Sequence, residues 1–502
     1  MKLAIWSYQA PAHVGVSMCA SSINGVHTVL RAPKGDGYAT IMLAMFERLG
    51  VLPPLTINAL TEGTLAGAPA DLPRVLREID ARVKPKAILV TRSATAAVLQ
   101  EPLDGEFGTM TPGELGAEVI FGASHPVRDN ETTAFALTLR QLVAHVAADC
   151  ARTETPSVNI LGPALLGFHD HSNVRALRAL FAAIGVDVNA VVPLGATVDD
   201  LRTLGRAWLN VSLVHERTAP LVAYLRERYG TPSVDALPYG EAGTTRFLRE
   251  VCATLELPAD RIAAAARESQ LGWYARTVDA HALSTKRVAV FGTPTTAAGI
   301  ARVLHDELDM RVEWVGTYVR EYGDWLSARV ADVTGRILVT DDYREVAQAI
   351  DETRPDIVFG SQMERHAASA HGIPCAVISP PAHILNFPLS YAPFVAYEGA
   401  NYLADVVNRT QVLGLEHHLI ETFGPRGQGR FAEQAPEGLD EPAVAAAEGA
   451  PQWDPSAERL VGRIPFFVRK KARANIEKYA REQRLAVIDE RVVLAAREHV
   501  GG

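Results

Sequence analysis

The stretch Lys286–Leu304, KRVAVFGTPTTAAGIARVL, decides the reading of the fold. Lys286–Phe291 is rich in valine and ends on an aromatic residue, as a buried strand does. Gly292 marks a turn, and a helix-like stretch follows. Strand, tight turn and helix in that order form the first part of a βαβ unit. A turn of this kind can present helix-terminal N–H groups to an anion. It is neither GxGxxG nor a Walker sequence with its lysine, so it reads as a plain βα connection and no nucleotide site is expected in this chain.

Working outward, the same alternation recurs three times. Arg311–Trp314, Arg336–Thr340, Asp356–Phe359 and Pro374–Ile378 are the further strands of the set that Lys286–Phe291 opens. Upstream, Ser157–Leu161, Asp187–Val192 and Leu209–Val214 make a second set. Lys2–Tyr8, Lys86–Thr91 and Glu118–Phe121 make a first, with Ile41–Leu49 as an amphipathic helix. Strands spaced by helices imply parallel sheets. The predicted fold class is therefore α/β, with three Rossmann-like domains at 1–153, 154–282 and 283–423. Residues 424–456 are rich in Gly, Pro, Ala and acid and poor in large aliphatics, the composition of a flexible linker. Residues 457–502 read as a small appended helical domain.

Composition bounds the class. The chain has 502 residues, enough for about three domains at roughly 150 residues each. A hydrophobic fraction of 48% and a charged fraction of 21% are those of an ordinary globular protein. The net charge of -9 argues against a nucleic-acid partner. Four scattered cysteines, Cys19, Cys150, Cys252 and Cys375, form neither a disulfide framework nor a metal-binding pair, which points to a reducing compartment. The opening MKLAIWSYQAPAHVG lacks the apolar core of a signal peptide, and no run is long enough to span a membrane, so a cytoplasmic location is expected.

Several residues carry candidate chemistry. Asp36, in the loop Ala32–Tyr38 (APKGDGY), precedes a helical stretch, where aspartate is an ordinary N-cap. Its alternative is a metal ligand, since a lone carboxylate can complete a set whose other donors come from another chain. His169 and His171 flank Asp170 without an obvious third ligand, and a capped helix start before Val174 is the simpler reading. His417 and His418 are adjacent and diverge on a helix, while His417 and Glu421 share a face. His383 follows the strand Pro374–Ile378, at the carboxyl end where parallel sheets bind ligands. Asp279 is either a helix cap or an acid at a domain junction. Arg469, Lys470, Lys471 and Arg473 form a basic face that is solvated or meets an acidic partner.

Taken in order along the chain, KLAIWSYQAPAHVG, HTVLRAPKGDGYA, NILGPALLGFHDH, WYARTVDAHALSTKRVAVFG, HGIPCAVISPPAH, YEGANYLADVV, GLEHHLI and IPFFVRKKARANIEKYARE resemble one family. It is the family of B subunits of light-independent (dark-operative) protochlorophyllide reductase, which is nitrogenase-like. The resemblance implies a fold like the nitrogenase MoFe protein, and reduction of the C17=C18 bond of protochlorophyllide to chlorophyllide in (bacterio)chlorophyll biosynthesis. It implies that Asp36 is one ligand of a [4Fe-4S] cluster whose three thiolates come from an N subunit. It implies that Asp279 donates a proton to the macrocycle, that Gly414 and Leu415 contact substrate, and that His383 lies near the pigment. The implied assembly is a heterotetramer of two N and two B chains. A separate homodimeric iron–sulfur protein would dock transiently, use ATP and Mg, and deliver electrons. If the gene is plastid-borne, the location would be the stroma. The element RTVDA departs from the RSVDS frequent in relatives. A related chlorophyllide reductase subunit and a non-catalytic cofactor-assembly scaffold of nitrogenase type are the alternatives. A two-Rossmann glycosyltransferase is disfavoured by the lack of a basic phosphate-binding constellation.

Overall fold

The structure is a computed structural model. It describes residues 7–38, 53–65, 71–99, 114–266, 270, 286–383, 386–423, 451–462, 466–483 and 485–501. Contacts divide the chain into a unit of residues 1–408 and a smaller unit of residues 409–502.

The first sheet of the larger unit is built around a strand that the sequence reading missed. β1 (Val26–Ala32) lies between β2 (Leu55–Ala59) and β3 (Ala87–Arg92), and β4 (Glu118–Phe121) completes the order β2-β1-β3-β4. All seven residues of β1 are buried, although His27, Thr28 and Arg31 are polar. Two of them reach partners across to β2: His27 Nε2 lies 2.8 Å from Thr56 Oγ1, and Arg31 donates to Asn58 Oδ1, whereas Thr28 Oγ1 and His27 Nδ1 are buried without a partner among the described residues. Of the stretch read as a first strand, Lys2–Tyr8, residues 1–6 lie outside the described residues, and Ser7 and Tyr8 are not in a strand. Ile41–Leu49 also lies outside the described residues.

The second sheet comprises β5 (Ser157–Leu161), β6 (Asp187–Val192) and β7 (Leu209–Ser212), in the order β6-β5-β7. The third comprises β8 (Arg287–Gly292), β9 (Arg311–Thr317), β10 (Ile337–Val339), β11 (Ile357–Gly360) and β12 (Cys375–Val377), in the order β10-β9-β8-β11-β12. Every strand pair in these three sheets is parallel. In the third sheet the chain winds one way from β8 through β10, then crosses back to β11. Such a reversal opens a crevice beyond the carboxyl ends of the strands.

The βα turn after β8 is closed by the chain's own side chains. The helix Pro294–Arg302 starts there. Glu216, 1% exposed, accepts from Thr295 Oγ1 at 2.5 Å and from Thr295 N at 3.3 Å. Thr293 N donates to Ser379 Oγ at 2.9 Å. An internal carboxylate therefore stands where this helix N-terminus would favour an anion. Burial raises the carboxyl pKa of Glu216, against the lowering effect of the Thr295 hydrogen bond.

The helix Asp170–Ala183 starts directly after His169, earlier than expected, and His169 provides no side-chain cap. His169 takes a left-handed conformation, φ 62°, and is 7% exposed. Its ring stacks on Phe394 with centroids 4.1 Å apart, and its Nδ1 lies 2.5 Å from Ala392 O. Burial lowers its pKa to about 4. The folded state thus holds this ring neutral while the unfolded chain protonates near 6.5. The stabilisation is complete above that value and is lost as pH falls towards 4, by up to about 3 kcal/mol. Urea midpoints should drop more steeply from pH 7 to 4.5 in the wild type than in His169→Gln. Parallel pH profiles would remove this role from His169.

In the smaller unit, β13 (Gln452–Trp453) pairs in parallel with β14 (Val487–Ile488). Helices Pro455–Gly462, Phe466–Glu482 and Glu490–Gly501 accompany this ribbon. Ala457, Val461, Ile476, Ala480, Ile488 and Val493 form their core. Trp453 donates from Nε1 to Glu477 at 3.0 Å and carries the Arg473 guanidinium 4.4 Å above its ring.

Candidate functional site

Asp36 stands on a turn that leaves the carboxyl end of β1. Asp36 N donates to Pro33 O and Tyr38 N to Gly35 O, both at 3.1 Å, so the segment is two successive tight turns. Gly37 is buried, and a Cβ there would stand 2.3 Å from Ile57 Cδ1. A side chain there would have to displace the end of Ile57, so the glycine eases the close approach of the loop to β2. Asp36 itself is half-buried. Among the described residues its carboxylate makes no hydrogen bond or ion pair, while its backbone oxygen lies 3.0 Å from His13 Nε2. The stretch that Asp36 would cap lies outside the described residues.

The donor chemistry available to a metal is sparse. Cys19 and Cys252 are buried, and Cys150 and Cys375 are half-buried. Burial raises the thiol pKa of Cys19, Cys252 and Cys375, which favours the inert neutral form. Among the described residues no group of three or more His, Cys, Asp or Glu side chains is placed to hold a metal ion. An iron–sulfur cluster would need its thiolates from another chain, and an unpaired carboxylate on a glycine-bordered loop fits the part of one ligand from this side.

His383 lies in a different place, beyond the carboxyl end of β12. It borders a cavity of about 510 Å³ with Tyr343, Gln362, Met363, His366 and Pro381. The lining is mostly apolar, but Gln362 Oε1 is buried without a partner among the described residues, and Gln362 Nε2 faces His366 Nε2 at 3.2 Å. Beneath it, Glu364 is fully buried and accepts from Tyr8 Oη at 2.5 Å and Ser361 Oγ at 2.5 Å. Tyr8 stacks on Tyr318, centroids 5.0 Å apart, and Tyr318 donates to Pro380 O at 2.8 Å. Sequence reasoning singled out His383 from its position after a strand, and the structure places it in the lining of this cavity. It missed Gln362, His366 and Glu364, although the S-x-x-E of a capping box directly after the apolar run of β11 was a readable signal. Gly414 and Leu415 fall on the helix Ala396–Phe423. Asp279 lies outside the described residues.

The chain matches the family described as Nitrogenase component 1 type Oxidoreductase over residues 11–411. Residues 453–497 match the one described as Proto-chlorophyllide reductase 57 kD subunit. A solved structure, Nitrogenase Cp1 at pH 6.5, covers 83% of this chain and 95% of its own, with a TM-score of 0.71 at 18% identity. The fold is thus that of a nitrogenase component 1 type oxidoreductase. A class of this kind implies an iron–sulfur cluster, a partner subunit and an iron–sulfur reductase. The B subunit of the light-independent protochlorophyllide reductase of Chloroflexus aggregans is 37% identical over 100% of both chains. That of Heliobacterium modesticaldum is 38% identical over 100% of this chain and 99% of its own, and that of Gloeobacter violaceus 36% over 100% of both. This chain belongs to the family of light-independent protochlorophyllide reductase B subunits. Among the described residues no helix is long and apolar enough to cross a membrane.

Proposed function

We propose that this chain is the B-type half of the catalytic component that reduces the C17=C18 double bond of protochlorophyllide. The end-to-end similarity to relatives of that name carries the reading. The reduction adds two electrons and two protons to the ring. Asp36 is one ligand of a [4Fe-4S] cluster shared with an N-type subunit, which supplies three thiolates. When bound, the cluster supplies single electrons. A carboxylate is a harder donor than a thiolate, so this ligand set shifts the potential away from that of an all-cysteine site. The electrons come from a separate homodimeric iron–sulfur protein, where ATP and Mg are used. Two N and two B chains make the working heterotetramer.

Asp279 donates a proton to the macrocycle. Burial against a flat apolar pigment keeps a carboxyl group protonated near neutral pH, as a general acid requires. Gly414 and Leu415 contact the pigment, and His383, with the cavity beside it, is a further pigment contact. Asp279→Ala is expected to bind protochlorophyllide as the wild type does and to turn over about a hundredfold to ten-thousandfold more slowly. Wild-type turnover would remove its role.

The direct test is anaerobic co-expression with an N-type partner, followed by iron and sulfide analysis and turnover of protochlorophyllide and chlorophyllide. About four iron and four sulfide per heterodimer, lost without the partner, are expected for a shared cubane, with protochlorophyllide the better substrate. A stable complex without iron would overturn the cluster reading and favour an assembly scaffold. Preference for chlorophyllide would overturn the substrate.

A further inference from the structure

His13 is built into the Asp36 loop in a way that packing alone does not require. It lies in the first turn of the helix Ala12–Ser21, every residue of which is buried, and is itself 4% exposed. Its Nε2 lies 3.0 Å from the backbone oxygen of Asp36. A carbonyl only accepts, so Nε2 carries the proton and Nδ1 is a bare acceptor. Nδ1 is buried with no partner among the described residues. An imidazole with half its hydrogen bonding unmet is destabilising in a core. A leucine of similar size would fill the space without that penalty.

The helix that carries His13 is held as a fixed post. A Cβ on Gly15 would stand 2.0 Å from Glu131 O, so the helix lies hard against Glu131–Val146. Ala10 N donates to Glu131 Oε2 at 3.0 Å, and Glu131 N returns a bond to Ala10 O at 3.0 Å. The loop, by contrast, has little hold of its own. Besides its two turn bonds, the bond from His13 is the only hydrogen bond that reaches residues 33–38 from elsewhere among the described residues. His13 therefore ends on the residue whose carboxylate is unpaired among the described residues.

We infer that His13 is a positioning residue for the iron–sulfur cluster: its Nε2–H bond to the Asp36 carbonyl fixes the backbone from which the carboxylate ligand projects. This rests on the reading of Asp36 as a cluster ligand. The test uses the anaerobic complex with the N-type partner and three variants. His13→Leu keeps the volume and removes the donor. His13→Gln places an amide N–H close to the position of Nε2. His13→Asn carries an amide too short to reach the carbonyl.

In His13→Leu, backbone amides of residues 34–38 should exchange hydrogen at least about fivefold faster, as expected for loss of one hydrogen bond. The electron paramagnetic resonance spectrum of the reduced cluster should change and its midpoint potential should move, with His13→Gln restoring both. A wild-type spectrum and potential in His13→Leu would overturn the inference, even if the melting temperature fell, because a purely structural histidine would behave so. Should His13→Leu fail to assemble, His13→Asn carries the same test, and a wild-type spectrum there overturns it equally. Asp36→Ala separates the two possible failures. If it leaves iron content and spectrum unchanged, the ligand reading falls and the inference with it; if it alters them while His13→Leu does not, only the inference falls.

Discussion

Asp36→Ala is expected to abolish protochlorophyllide reduction, by at least about a hundredfold, while leaving the fold of the subunit intact. The two halves of that expectation come from different observations. The carboxylate makes no hydrogen bond or ion pair among the described residues, so the loop does not depend on it. The turn is held by backbone bonds, by Gly37 against Ile57 and by His13, all of which survive the substitution. Thermal stability of the isolated subunit should therefore stay within about 0.5 kcal/mol of wild type, as for a surface change. In the complex, the same change removes one of four iron ligands, and the iron content should fall or the paramagnetic signal change shape. Asp36→Cys should keep iron bound but move the midpoint potential, since a thiolate replaces a harder donor. A complex of Asp36→Ala with wild-type iron, spectrum and turnover would end the ligand reading. A large loss of stability in the free subunit would instead mean that Asp36 is the helix cap that its sequence position first suggests.

The α/β layout was legible because the strands that carry it are short apolar runs. SVNIL and KRVAVF appear in the structure as β5 and β8 within a residue of their expected ends. β1 was not legible, and His27, Thr28 and Arg31 say why. A central strand buried on both faces normally reads as continuous hydrophobics. Here two of the three polar positions, His27 and Arg31, find partners in Thr56 and Asn58 on β2, 29 and 27 residues downstream, and such a pairing leaves no local trace. The helix Ala12–Ser21 was hidden for the opposite reason. It is buried on every side, so it has no polar face and no amphipathic period to find. The site divides in the same way. The Asp36 loop announces itself through glycines and a charge, whereas His13 becomes visible only when the fold brings it 3.0 Å from a carbonyl 23 residues away. The cavity beside His383 likewise needs β11 and β12 to be neighbours before Gln362 and His366 can face it.

Arg217→Met is expected to cost about 3–5 kcal/mol of stability. Arg217 Nη1 lies 2.9 Å from Asp170 Oδ2, and their side chains are 13% and 4% exposed. The guanidinium also sits 5.2 Å from the ring centroid of Phe135, so the charge is enclosed on more than one side. Burial pushes the Asp170 carboxyl pKa up, and Arg217 pulls against it. Removing the arginine leaves that upward push unopposed by its partner. The carboxylate is held in place by a second bond, since Oδ2 also accepts from Ala164 N at 2.9 Å. The group must then remain charged and unpaired or take up a proton. The deficit should accordingly shrink as pH falls from 7 to 5, the direction in which a buried acid is neutralised. Adding Asp170→Asn to Arg217→Met should recover part of the loss by deleting the charge while keeping an acceptor oxygen. The exposed pair Arg354 and Asp351, each 54% exposed, is the control, and Arg354→Met should change stability by less than about 1 kcal/mol. Urea midpoints of the four proteins at two pH values decide the matter. If Arg217→Met costs no more than Arg354→Met, or if its deficit is the same at both pH values, the pair is not the electrostatic lock between the helices Asp170–Ala183 and His215–Tyr229 that its burial and geometry describe.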